Sequence, residues 1–100
     1  MDDITCEELK ERMDKGEKII LIDVREEFEH EQFNIGGELI SLGSLPSSIH
    51  AIENLMEEEI VVYCRSGARS ANAKMFLMNN GFKNVRNLTG GMVQWKSKFE

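Results

Sequence analysis

The sequence contains little cysteine and little histidine, with two residues of each in a chain of 100. Cys6 and Cys64 form no Cys-x-x-Cys pair, which excludes a redox motif of the thioredoxin type. Neither cysteine stands at metal-ligand spacing from His30 or His50, so the pattern does not predict a zinc site. We therefore expect chemistry that needs no bound metal and no other cofactor.

The sequence also lacks long apolar runs and an excess of basic charge. Residues 1–5 contain no basic region followed by an apolar stretch, and no run approaches the length of a membrane span. Twelve Lys and Arg residues against 18 Asp and Glu residues give a net charge of −6, which disfavours nucleic acids and anionic membranes as partners. We expect a cytoplasmic protein, whose thiols a reducing environment would keep from forming a disulfide.

What remains is the composition of an ordinary globular domain. Hydrophobic residues make up 41% of the chain and charged residues 30%, which supplies a core and a solvated surface. The length of 100 residues predicts one domain over 1–100. Neither a repeat nor a linker interrupts it.

Short apolar runs with the character of buried β-strands recur along the chain. The runs at 18–23 and 60–63 are nearly continuous in apolar residues, which suits strands covered on both faces of a parallel sheet. Shorter strands are predicted at 39–40 and 84–88. Because helical segments separate these runs, the sequence predicts an α/β fold with a mainly parallel sheet. Functional groups gather beyond the carboxyl ends of such strands, where Asp23 and Cys64 both lie.

The first two helical segments differ in polarity. Thr5 and Glu8 predict a capping box, behind which Cys6 falls on an apolar helix face as a core residue. The segment at 26–31 predicts a short polar helix with solvated glutamates. His30, within it, is predicted to be a surface residue.

The last two helical segments show apolar stripes. One helix should start near Ser70, directly after the Cys64 loop, and the other should follow the turn at Gly90 and Gly91. The predicted packing faces are Ala71, Met75 and Met78 in the first and Met92, Trp95 and Phe99 in the second. Trp95 is foremost a packing residue, although its position would also let it border a site next to the Cys64 loop.

Cys64 stands between a buried strand and the start of a helix. The helix N-terminus offers unpaired N–H groups and the positive end of the helix dipole. A curled loop through 66–68 can direct successive amides at one centre, and its glycine adopts the positive φ that such a nest needs. Since Arg65 and Arg69 add positive charge, the sequence predicts a Cys64 pKa below that of a free thiol.

Three spaced motifs resemble the signatures of the single-domain rhodanese family. The active-site loop and helix start of that family are similar to Cys64, Arg65, Ser66, Gly67, Ala68, Arg69 and Ser70. Its first signature resembles residues 21–28, and its C-terminal signature resembles Gly90 and Gly91 with Trp95. The chain departs from the family at 34–37, where Asn-Ile-Gly-Gly replaces a common His-Ile-Pro-Gly-Ala segment, and at Ser41, where proline is common. Both departures alter a loop near the rim of the site.

The resemblance implies a small three-layer α/β fold, with a central five-stranded, mainly parallel sheet flanked by helices. It implies a sulfurtransferase in which Cys64 attacks the outer sulfur of a donor such as thiosulfate, releases sulfite and holds a persulfide. Cyanide, a thiol or a protein partner in a sulfur relay would then accept the sulfur. The exposed loop suggests a monomer that docks transiently with such partners.

The resemblance also implies roles for individual residues. The amides of 65–70 would cradle the persulfide sulfur, and Arg69 and Arg65 would attract the anionic donor. Asp23 and Arg25 would be scaffold residues, ion-paired near the loop.

The length of the Cys64 loop distinguishes this chain from other enzymes with a cysteine nucleophile. Cysteine phosphatases and arsenate reductases use Cys-x5-Arg loops around a tetrahedral oxyanion, whereas Cys64 and Arg69 form the shorter Cys-x4-Arg. The shorter loop suits a single sulfur atom, so we predict no useful phosphatase activity. A binding module that has lost catalysis is disfavoured because Cys64 and its loop are complete. A relay that does not use thiosulfate, and a sensor that works through Cys64 oxidation, stay open.

Overall fold

The structure, a computed structural model, describes residues 2–100, so Met1 at the start of the chain lies outside the described residues. The strands are β1 (Ile20–Asp23), β2 (Glu38–Leu39), β3 (Glu59–Tyr63) and β4 (Asn84–Asn87). The α-helices are α1 (Cys6–Asp14), α2 (Glu27–Gln32), α3 (Leu45–Ser48), α4 (Ala68–Asn79) and α5 (Gly91–Phe99). Two 3-10 segments, Leu42–Ser44 and Ile49–Leu55, lie on either side of α3.

The strands form one parallel sheet in the order β2-β1-β3-β4. Register pairs Ile20 with Ile60 and Asp23 with Tyr63, which brings the carboxyl ends of the two central strands to the same edge. The expected α/β fold is confirmed. Cys64 follows Tyr63 directly, so Asp23 and Cys64 share that edge as predicted.

The expectation of five strands is wrong for residues 2–100, where the sheet has four. The place of a fifth strand is taken by an isolated parallel bridge between Ile4 and Leu88. The Ile4 amide donates to the Asn87 carbonyl at 3.0 Å, and the Ile4 carbonyl accepts from the Thr89 amide at 2.9 Å. Because Thr5 already caps α1, the extended chain is too short there to pair further.

Two apolar cores cover the two faces of the sheet. Along β3, Ile60 and Val62 face the core beneath α3 and α4, whereas Val61 and Tyr63 face the core beneath α1 and α5. This alternation follows from the two-residue period of a strand. Cys64 continues the first series, and the predicted core residue Cys6 is confirmed in the second core.

Helix α4 packs through a different face from the one predicted. It begins at Ala68 and buries Ser70, Ala73 and Leu77, while Met75 and Met78 are 64% and 41% exposed. Because Ser70 is hydrogen-bonded under the Cys64 loop, the helix is rotated so that the residues three and seven positions later face the core. The helical spacing of apolar residues in α4 was compatible with either face of the helix, and the hydrogen bonds of Ser70 select the face that is buried.

The capping chemistry of α1 and α2 also differs from expectation. Thr5 Oγ1 accepts from the Glu8 amide at 3.1 Å, but the Glu8 carboxylate pairs with Arg86 instead of returning to the cap. The full capping box is formed in α2 by Glu26 and Glu29.

No helix in residues 2–100 combines the length and the apolar character needed to cross a membrane.

Glu59 ties the sheet to α1. Its carboxylate accepts from Arg12 Nη1 and Nη2 at 2.9 and 2.7 Å, and from Arg86 Nη1 of β4 at 3.0 Å. The Arg12 hydrogen bonds, opposed by partial burial and aided by Arg86, lower the pKa of Glu59 to about 2. The folded protein therefore favours the ionised carboxylate.

We expect Glu59→Gln to lower the free energy of unfolding by about 1 to 2 kcal/mol near neutral pH. The folded-state pKa lies below the ordinary value of 4.5, so this stabilisation is complete above 4.5 and is lost as the pH falls towards 2. Denaturant unfolding of both proteins across this range is the measurement. The exposed neighbour variant Glu57→Gln should show no such pH-dependent difference. A Glu59→Gln deficit that stayed constant on acidification would contradict the ion-pair explanation.

Candidate active site

Cys64 lies directly after β3, beneath the loop that leads into α4. Its residue exposure is 1%, so the side chain faces the first core and the underside of the loop. Gly67 caps α4 with φ 109°, a left-handed conformation that glycine adopts at little cost. This bend turns the chain back over the sulfur and brings the first turn of α4 next to it.

Two backbone amides and one hydroxyl group surround the Cys64 sulfur. The Gly67 amide lies 3.1 Å from Sγ, the Ser70 amide 3.4 Å and the Ser70 hydroxyl oxygen 3.3 Å. Burial raises the pKa of Cys64, whereas hydrogen bonds from the Ser70 hydroxyl and from the amides of Ser70, Gly67 and Ser66 lower it. The net pKa is below the ordinary value for cysteine. The structure thus produces the lowered pKa through hydrogen bonds.

The N-terminus of α5 holds this loop from the outside. The Met92 amide donates to the Cys64 carbonyl at 3.0 Å, and the Val93 amide donates to the Arg65 carbonyl at 2.9 Å. A Cβ atom on Gly91 would lie 2.5 Å from the Cys64 carbonyl oxygen and 2.6 Å from that of Arg65. The glycine at this position is therefore required by the close approach of two backbones.

Asn87 braces the loop from the inside. This buried residue, at the end of β4, donates from Nδ2 to the Gly67 carbonyl at 3.1 Å. Its Oδ1 accepts from the Ser70 hydroxyl at 2.5 Å. Sequence reasoning missed Asn87, because only the folded sheet brings it beside a loop 20 residues earlier in the chain.

Arg69 points to an acidic partner across the site. Its Nη1 and Nη2 donate to Glu29 Oε1 and Oε2 at 2.7 and 2.9 Å in a bidentate pair. Hydrogen bonding to Arg69, opposed by partial burial, lowers the pKa of Glu29 to about 2. The prediction that all the acidic residues of α2 are solvated is wrong for Glu29. Its position at N3 of a capping box was readable, but its pairing with a residue 40 positions away was not.

Arg65 is exposed and borders a cleft beside the loop. The cleft has a volume of about 220 Å³ and is lined by Arg25, Glu29, Gln32, Phe33, Arg65, Met92, Val93 and Lys96. In residues 2–100 no carboxylate forms an ion pair with Arg65 or with Lys96. The cleft therefore has room and positive charge for a small anion.

Asp23 and Arg25 form a buried ion pair at the end of β1. Arg25 Nε and Nη2 donate to the two carboxylate oxygens at 2.9 and 2.8 Å, and His30 Nδ1 lies 2.8 Å from Oδ2. Burial raises the pKa of Asp23, but the hydrogen bonds from Arg25 and His30 outweigh this effect. The net pKa of Asp23 is therefore below its ordinary value. His30 is thus a half-buried partner of Asp23, and its prediction as a surface residue is wrong.

Trp95 lies in the second core and does not line the cleft. It is 6% exposed and meets Phe99 edge to face, with ring centroids 4.9 Å apart.

Contact with Tyr63, which lies in the same core, explains why a glycine stands at Gly37, in the segment where the chain departs from the resemblance. A Cβ atom there would lie 2.7 Å from the Tyr63 ring, and the Gly37 amide donates to Tyr63 Oη at 3.2 Å.

In residues 2–100 no group of three or more His, Cys, Asp and Glu residues could hold a metal ion.

We expect Gly91→Ala to destabilise the protein by about 2 kcal/mol or more, because its Cβ would meet backbone oxygens that cannot move independently. The control is Gly43→Ala, whose Cβ has nothing within 4 Å, and its effect should stay within about 0.5 kcal/mol. Denaturant unfolding measures both. Equal stability of the two variants would show that the loop tolerates displacement from α5.

Comparisons with known proteins place this chain in a family. A family model for the rhodanese-like domain matches residues 5–98. A sulfurtransferase of Allochromatium vinosum is 34% identical over an alignment of 104 positions, which covers 95% of this chain and 88% of that protein. Human single-domain sulfurtransferase TSTD1 has a similar structure, with a TM-score of 0.84 at 25% identity, covering 98% of this chain and 97% of that one.

A longer relative matches over part of its length. The protein named "Probable adenylyltransferase/sulfurtransferase MoeZ" from Mycobacterium tuberculosis is 35% identical over 98 residues, and the chain spans 25% of its length. The family match covers nearly the whole chain, and it includes both the strand that precedes Cys64 and the glycine pair at the start of α5. On this evidence the chain belongs to the rhodanese-like domain family of sulfurtransferases.

Proposed function

We propose that this protein carries sulfane sulfur as a persulfide on Cys64. The observation that supports the proposal is the convergence of the Gly67 and Ser70 amides on Cys64 Sγ. Amides fixed before the reaction stabilise negative charge on sulfur without the cost of reorganising solvent. The same donors serve a thiolate, which is the reactive form of cysteine, and the anionic outer sulfur of a persulfide.

The reaction divides into two displacements on sulfur. In the first, the Cys64 thiolate attacks the outer sulfur of thiosulfate, a sulfur–sulfur bond to Cys64 forms, and the bond to the sulfite sulfur breaks. Sulfite leaves with that electron pair. In the second, an acceptor nucleophile attacks the outer sulfur of the persulfide, and Cys64 leaves as a thiolate. Each step forms one bond and breaks one, so no external oxidant or reductant is needed.

The donor is a small anion that approaches through the cleft beside the loop. Arg65 supports this role because it is exposed and borders the cleft together with Lys96. Arg69 is less available, since both of its terminal nitrogens are hydrogen-bonded to Glu29. We therefore propose Arg65 as the principal donor-binding cation and Arg69 as a residue that fixes the start of α4 against α2.

The acceptor is cyanide in vitro and a thiol or protein partner in the cell. We propose a cytoplasmic monomer that docks through the rim of the cleft, where Val93 is 49% exposed next to the Arg65 loop. The protein acts with no metal and no organic cofactor, because both displacements need only the sulfur atoms and the loop. Asp23 and Arg25 are scaffold residues, and Trp95 acts through packing.

Incubation with thiosulfate should add the mass of one sulfur atom to the protein, and cyanide should then remove it as thiocyanate. Cys64→Ser should gain no sulfur, because the nucleophile is missing. Intact-protein mass spectrometry is the measurement.

The matched control for this experiment is Cys6→Ala. Burial raises the pKa of Cys6, so this thiol should not load sulfur and its removal should leave loading intact. If the wild type gains no sulfur from thiosulfate or from a persulfide donor, the sulfur-carrier function is wrong. Hydrolysis of an aryl phosphate that disappeared in Cys64→Ser would instead support the phosphatase alternative.

Arg65→Gln should raise the KM for thiosulfate about threefold to tenfold and leave kcat nearly unchanged, because the charge acts in binding and not on the reacting sulfur. Steady-state thiocyanate formation is the measurement. Lys18→Gln, at an exposed lysine before β1, controls for the change in net charge. An equal rise in KM in both variants would show that only the overall charge matters, and no rise in either would remove Arg65 from the donor site.

A further inference from the structure

Asn87 closes a hydrogen-bonded chain that begins at the Cys64 sulfur. Cys64 Sγ lies 3.3 Å from the Ser70 hydroxyl oxygen, and that hydroxyl lies 2.5 Å from Asn87 Oδ1. The other end of the Asn87 amide, Nδ2, lies 3.1 Å from the Gly67 carbonyl oxygen. Cys64, Ser70 and Asn87 are all buried, so water does not replace a partner that one of them loses.

The neighbours of Asn87 fix the orientation of its amide group. The Gly67 carbonyl can only accept hydrogen bonds, so the NH2 side of the amide must face it. A reversed amide would place two carbonyl oxygens 3.1 Å apart with no proton between them. Asn87 Oδ1 therefore faces Ser70, and because Oδ1 also can only accept, the Ser70 hydroxyl gives it the proton.

The Ser70 hydroxyl has one proton, which cannot serve two acceptors fully. While it is given to Asn87, the Ser70 oxygen presents a lone pair to Cys64, which suits a thiol that donates its S–H proton. A thiolate at the same place would face that lone pair. To stabilise the thiolate, the hydroxyl must turn towards Sγ, and the buried Asn87 Oδ1 then loses its donor.

We propose that Asn87 is a positioning residue that competes with Cys64 for the hydroxyl proton of Ser70 and so limits how readily Cys64 carries negative charge. The fixed amides of Gly67 and Ser70 favour the thiolate at all times, whereas the hydroxyl favours it only after turning. When Cys64 holds a persulfide, its Sγ is uncharged and the hydroxyl can return to Asn87. The rotation transfers no proton between residues and breaks no covalent bond.

Charged groups around this chain must stay constant for the competition to be tested. Arg69 interacts electrostatically with Cys64 and is paired with Glu29 of α2. On the other side, Asp3 accepts from the Asn87 backbone amide at 3.1 Å and pairs with Lys74 of α4. None of these contacts uses the Asn87 side chain, so a substitution there leaves their partners in place.

The test is a pH titration of the Cys64 thiolate in Asn87→Ala. The signal is the ultraviolet absorbance of the thiolate, taken as the difference from the same protein with Cys64→Ser. We expect the pKa of Cys64 to fall, with a threefold to roughly tenfold larger thiolate fraction at a fixed pH below the midpoint. If Asn87 only braced Gly67, its loss would loosen the amides and the pKa would rise. An unchanged or raised pKa would therefore overturn the proposal.

The variant Ser70→Ala supplies the control, because it removes the contested proton. In that background Asn87→Ala should no longer increase the thiolate fraction, and a persistent increase would show that Asn87 acts by another route. Asn87→Ser repeats the test with a small polar side chain that is too short to reach Ser70, in case the alanine variant does not fold. Circular dichroism spectra establish which variants are folded.

The competition deepens the proposed sulfur-carrier function, and its effect on turnover rests on that function. The titration itself needs no sulfur donor, so the two ideas fail separately. A lowered pKa in Asn87→Ala together with no persulfide on the wild-type protein would keep the competition and reject sulfur transfer. Persulfide formation with an unchanged thiolate titration would do the reverse.

Discussion

The hydrogen bonds between the N-terminus of α5 and the carbonyls of Cys64 and Arg65 are the constraint on which the site depends. They turn two consecutive carbonyl groups outward, which leaves the following amides free to point inward at the sulfur. Position 91 requires glycine for α5 to come this close to the loop, because a Cβ atom there would clash with both carbonyl oxygens. The last helix thus determines the geometry around a cysteine that lies far earlier in the chain.

The electrostatics of the site are more balanced than a count of basic residues indicates. The charge of Arg69 is matched by Glu29 and that of Arg25 by Asp23, both through bidentate contacts. The Arg69–Glu29 pair connects the start of α4 to α2, and the Asp23–Arg25 pair lies at the end of β1, where His30 of α2 also contacts Asp23. The main effect of these contacts is therefore on geometry. The pKa of Cys64 is lowered by hydrogen bonds from the Ser70 hydroxyl and from the loop amides, which salt screens less than it screens exposed charged side chains.

The sequence predicted the strand–loop–helix around Cys64 well because its signals are local. A continuous apolar strand, a glycine at the bend and small residues after it are all adjacent in the chain. The face of α4 was mispredicted because the choice between Ser70 and Ala71 depends on a hydrogen bond to Cys64. Glu29, His30 and Asn87 were missed for a related reason, since each acts on a partner that only the folded sheet brings near.

In residues 2–100 the strands at the two borders of the sheet are short. One border strand, β2, is two residues long, and the four-residue strand at the other border is flanked at its end by the bridge from Ile4. Long open strands invite other chains to add to a sheet, which is a common route to aggregation. A protein with such short borders can leave the loop at one end of its strands open to partners and still offer other chains few places to extend its sheet.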